Sequence, residues 1–63
     1  MSIVITVPFT GISITVTSPA EMKAVFFRLN LLWDLKVNGK VYPNDKYIGY
    51  TEEYFRVNYF EGK

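Results

Sequence analysis

The stretch that most limits the fold of this chain is Ser18–Leu35, SPAEMKAVFFRLNLLWDL, because it carries helical spacing between segments that alternate with the period of strands. Its start is well marked. Ser18 can cap a first turn, Pro19 suits the position where a missing N–H costs nothing, and Glu21 stands three residues after the cap, the spacing of a capping box. Steps of about 100° place Met22, Val25, Phe26, Leu29, Leu32 and Trp33 on one apolar face. Ala24, Phe27, Leu31 and Leu35 fall on another side, separated by Glu21 and Arg28 on one flank and by Lys23, Asn30 and Asp34 on the other. A surface helix ordinarily needs one apolar stripe, and this spacing gives two.

The residues before it alternate. Ile3, Ile5 and Val7 oppose Ser2, Val4 and Thr6; Ile12, Ile14 and Val16 oppose Ser13, Thr15 and Thr17. Period two in β-branched residues predicts two strands with hydroxyl-rich backs, and Pro8-Phe9-Thr10-Gly11 predicts a hairpin link. Downstream, Asn38-Gly39 predicts a second hairpin. Two registers are open. A two-residue loop pairs Val37 with Lys40 and Leu35 with Tyr42, and a three-residue loop with Gly39 as a bulge pairs Leu35 with Val41. Pro43-Asn44-Asp45 is a break, Lys46–Tyr50 a short strand or extended edge, and Thr51-Glu52-Glu53 a loop in preference to a capped single turn. Tyr54–Phe60 alternates again, with Phe55, Val57 and Tyr59 in one row and Tyr54, Arg56, Asn58 and Phe60 in the other; Phe55 and Val57 are expected toward the core. The expected architecture is a single α+β domain over residues 1–63, with one helix packed on a small, mainly antiparallel sheet in the order β-β-α-β-β and a further strand at residues 54–60.

Composition narrows function. The 63 residues contain no cysteine and no histidine, which removes the commonest thiol nucleophile, the commonest acid–base group and the usual staples of a small fold. Glu52 and Glu53 are adjacent and point apart in an extended segment; with Asp45 they match no calcium-loop spacing, and the four glycines build no phosphate loop. No catalytic residue, cofactor or metal is expected. The net charge of +1 gives no long-range pull toward nucleic acid or anionic lipid, and no run has the length of a membrane span or the pattern of an export signal. A cytoplasmic setting is expected.

The surplus helix stripe carries the functional expectation. Either the C-terminal segment covers Phe27 and Leu31 or another chain does. The second answer makes Ala24, Phe27, Arg28 and Leu31 a protein interface, serving a homodimer of antiparallel helices with Arg28 and Asp34 at the rim, or docking onto a larger protein and inhibiting it by steric cover. Small accessory and inhibitory proteins of phages and mobile elements are often this short, an association from size alone. The alternatives are a single-stranded nucleic-acid platform formed by Tyr54, Arg56, Asn58 and Phe60 on an exposed strand face, extended by other tyrosines, and a structural subunit that adds strands at its sheet edges.

Overall fold

The computed structural model describes residues 1–45 and 49–61. Strands β1 (Ile3–Val7) and β2 (Ile12–Val16) precede helix α1 (Pro19–Leu29), followed by β3 (Leu35–Val37), β4 (Lys40–Tyr42) and a second, short helix α2 (Glu52–Phe55), which runs on into a π-helical turn at Arg56–Phe60. The four strands form one antiparallel sheet in the order β2-β1-β3-β4. The first strand made is therefore an inner one. Its Ile5 faces Ile14 on one side and Val37 on the other.

Alternation does what period two requires. Ile3, Ile5, Val7, Val16, Leu35, Val37 and Tyr42 are buried on one face, while Val4, Ser13, Thr15, Lys36 and Val41 are exposed on the other. The second hairpin takes the two-residue loop. Asn38 and Gly39 both hold positive φ (50° and 84°), the requirement of a type I′ turn, so Val37 pairs with Lys40 and Leu35 with Tyr42. That register puts the Tyr42 ring, and not Val41, into the core beside Leu35.

Helix α1 begins as its residues dictate. The Glu21 amide donates to Ser18 Oγ at 3.1 Å, and the Glu21 carboxylate accepts from the amide and hydroxyl of Thr17 at 2.6 and 3.1 Å, one residue before the cap. Its end differs from the expectation. The helix stops at Leu29, not near Leu35, because the amides of both Leu32 and Trp33 turn back onto the Leu29 carbonyl at 3.0 and 2.9 Å. Asn30, fully buried, holds that turn. Its Nδ2 donates to the carbonyls of Trp33, Tyr42 and Pro43, and its own carbonyl accepts from the Asp45 amide and from Asn44 Nδ2. Leu32 and Trp33, expected in the core face, are instead exposed, Leu32 by 65%. Asp34, expected at a helix rim, accepts from the Asn44 amide at 2.7 Å within this loop.

The larger correction concerns the tail. One helix on the sheet is not the architecture; there are two separate helices, and residues 54–60 form no strand. Thr51 caps α2 by accepting from the Tyr54 amide at 3.0 Å, Glu52 and Glu53 occupy the first turn where carboxylates are favoured, and Glu53 pairs with Arg56 one turn on. The next turn widens. Asn58 Nδ2 takes the Tyr54 carbonyl at 2.8 Å, and the Glu61 amide reaches five residues back to Arg56 O at 2.7 Å. Phe55 enters the core against Met22 and Phe26, whereas Val57, expected beside it, is 46% exposed. Most of the expected strand or edge at Lys46–Tyr50 lies outside the described residues. Tyr50 itself packs on the core, with its ring centroid 5.2 Å from that of Tyr42.

Candidate functional site

Three of the four residues expected at an interface come together on the outer side of α1. Ala24, Phe27 and Arg28 line a shallow groove of about 310 Å³ with Ala20, Lys23 and Glu52. Ala20 and Ala24, one helical turn apart, and Phe27, 55% exposed, are the apolar residues of its lining. Leu31 is exposed too, but lies beyond the end of the helix and outside the groove. The lining mixes apolar and charged side chains. Lys23 and Arg28 supply two cations on α1, and Glu52 brings one carboxylate from the first turn of α2.

Glu52 and its wall of the groove were not visible in the sequence read as strand and loop. The signal was Thr51-Glu52-Glu53, a cap followed by two carboxylates, outweighed by the aromatic alternation after it.

The row Tyr54, Arg56, Asn58 and Phe60 is not brought together as a strand face. On helical turns its members diverge. Tyr54 packs 4.9 Å from Tyr50 and 5.3 Å from Phe55, Phe60 rests half-buried on the core, and Asn58 bonds back to Tyr54 O. Arg56 is held by two carboxylates, Glu53 and Glu61, at 2.5 and 2.6 Å, and these partners raise its pKa further.

A cluster not foreseen lies where the tail meets β4. The hydroxyls of Tyr54 and Tyr59 both meet that of Tyr42, Tyr54 at 3.2 Å, and Lys40 Nζ donates to Tyr54 Oη at 3.4 Å while standing 5.3 Å from the centre of the Tyr42 ring. Burial disfavours the phenolate, so the pKa values of Tyr42 and Tyr59 lie above the ordinary tyrosine value; for Tyr42 the hydrogen bonds with Tyr54 and Tyr59 add to the rise. The Lys40 ammonium is also raised, chiefly by its hydrogen bond to Tyr54. The cluster joins β4 to both turns of the tail.

A second exposed feature is the tip of the first hairpin. Phe9 is fully exposed and holds φ of 68°, a conformation bulky side chains rarely adopt, with Thr10 closing the turn through Oγ1 to Val7 O at 2.8 Å.

Among the described residues no group of His, Cys, Asp and Glu could hold a metal ion, and no helix is long and apolar enough to cross a membrane. No family model, curated protein or solved structure matches the chain. The molecule is a small α+β domain with an exposed aromatic and apolar patch, a surface consistent with an interaction module in general.

Proposed function

We propose that this chain is a non-enzymatic protein-interaction module that docks the outer face of α1 onto a larger protein and blocks whatever that covered surface does. The observation that carries the reading is the groove over Ala20 and Ala24 with Phe27 more than half exposed beside it. Phe27 still has more than half of its surface to bury, and a few side chains that fill a partner's pockets carry most of the energy of a protein interface.

Charge favours a different protein over a second copy at this face. In an antiparallel pair of α1 helices whose axis passes between Ala24 and Phe27, Lys23 of one chain lies opposite Arg28 of the other. Like charges work against that pairing, and with two cations against the single carboxylate of Glu52 in each groove, a partner with an apolar knob and acidic flanks matches this face better than a second copy with the same excess of positive charge. A nucleic-acid platform draws less support, because Tyr54 and Phe60 pack on their own domain and Arg56 is already paired.

The test is affinity capture from the source cell with the native chain, with Phe27→Glu and with Val41→Glu, an exposed site on the opposite face of the sheet. A partner retained by the native and Val41→Glu chains and lost by Phe27→Glu is expected. A partner held equally by all three sinks the reading.

A further inference from the structure

The two edges of the sheet are built differently. β4 has three residues, opens on Lys40 and is followed at once by Pro43, and lysine and proline are the means by which natural edge strands resist pairing. β2 has no such guard. Its five residues, Ile-Ser-Ile-Thr-Val, contain no charge, proline or glycine, and they pair with β1 residue for residue with no bulge. β2 is outermost in the sheet, so its far edge presents backbone amides and carbonyls that no described strand takes up. Water satisfies such a row while it is exposed, and an extended segment can take the place of that water along its length. Ser13 and Thr15 are exposed on one side of this edge, and on the other Ile12 is left 39% exposed although it belongs to the apolar row.

We propose that this edge takes β2 of a second copy, antiparallel, about a two-fold axis beside Ile14, joining the two sheets into one. The residue pattern suits a second copy because β2 is complementary to itself. Apolar–hydroxyl–apolar–hydroxyl–apolar reads the same in both directions, so the pairing sets Ile14 against Ile14, Ile12 against Val16 and Ser13 against Thr15. Every pair is apolar with apolar or hydroxyl with hydroxyl, no like charges meet, and the exposed part of Ile12 gains an apolar neighbour. A slip of one residue would set Ile14 against Thr15 and turn the two cores to opposite sides of the joined sheet, and a slip of two keeps the sides but pairs only three of the five strand residues, so the register centred on Ile14 is the one that pairs the whole strand. In the matched register both α1 helices lie on the same side of the joined sheet.

Sedimentation equilibrium of the full chain over a range of micromolar concentrations tests this, with circular dichroism to show that each variant is folded. Positions 13 and 15 are exposed, so substitutions there keep the domain intact. The native chain is expected to dimerise. S13K/T15K sets lysine against lysine twice across the axis and is expected to be monomeric. S13K/T15E sets each introduced lysine against an introduced glutamate and is expected to dimerise again. Phe27→Glu, which disables the α1 face, is expected to leave the dimer unchanged, which separates this pairing from the docking reading. A native chain that stays monomeric, a dimer indifferent to S13K/T15K, or no recovery in S13K/T15E would each overturn it.

Discussion

Phe26 of α1 and Phe55 of α2 meet with ring centroids 4.8 Å apart and planes inclined at 46°, and both are almost completely buried. This contact binds the second helix to the first and closes the core opposite the sheet. Phe55→Ala should therefore destabilise the domain by about 3–5 kcal/mol, the range for deleting a buried phenyl ring. Val57→Ala, two residues on and largely exposed, should stay within about 0.5 kcal/mol. Urea denaturation of the two variants checks the pair; equal losses would restore the alternating strand that the helical tail replaces.

The contrast between those two positions marks where the sequence was legible. Strict alternation in residues 3–7 and 12–16 had one physical meaning and folded accordingly, and Asn38-Gly39 narrowed the second hairpin to a choice that positive φ at both residues then decided. Phe27 stood out by angle alone. The end of α1 did not, because Asn30 stops the helix through carbonyls at Tyr42 and Pro43, which no local spacing reveals. In the tail two patterns coexist. Tyr54–Phe60 alternates, yet Phe55 and Tyr59 also lie four apart with ring centroids 6.4 Å from each other, Glu53 and Arg56 lie three apart, and Thr51 offers a cap. Strand propensity of aromatics reflects packing on a pleated surface, and here the aromatics pack on α1 instead.

Asn30 should be intolerant of substitution, even by a residue of its own size. Its amide nitrogen donates to three carbonyls from a fully buried position. Asn30→Ala leaves those acceptors without their donor and is expected to cost about 1–3 kcal/mol. Asn30→Asp should cost more at neutral pH, since a carboxylate repels the same carbonyls, and should recover stability as the pH falls and the group protonates. Denaturation midpoints at neutral and acidic pH measure the difference; a pH-independent Asn30→Asp loss would refute it.

Phe9 offers the opposite case. Its ring is fully exposed while its backbone holds φ of 68°. Left-handed backbone costs ordinary residues about 1–2 kcal/mol, and asparagine adopts it readily. Phe9→Asn is expected to raise the thermal midpoint by the equivalent of about 1 kcal/mol. A lower midpoint would mean that the ring contributes packing which its exposure denies.

The tyrosine cluster predicts an alkaline limit. Tyr42 and Tyr59 have folded-state pKa values above the unfolded value of about 10, so the unfolded chain loses protons first. Their contribution is fully present below about pH 10 and is lost as the pH rises above it toward the folded values. Ionisation of Tyr42 and Tyr59 should thus accompany unfolding, so that their share of the tyrosinate absorbance rises in a cooperative step. Tyr42→Phe should blunt that alkaline limb, and should cost about 1 kcal/mol near neutrality through the lost hydrogen bonds.

The place of β1 inside the sheet also bears on how the chain folds during synthesis. Residues 3–7 emerge before both of their neighbours and can zip with β2 as soon as the hairpin is out, but their other neighbour lies some thirty residues later, as the Thr6 hydroxyl bonded to Lys36 O at 3.3 Å records. Until β3 arrives, the nascent hairpin shows two unpaired edges and an uncovered Ile/Val face. Such long-range closure is slow compared with local pairing, so the inner position of β1 leaves apolar surface open to association until β3 has been added.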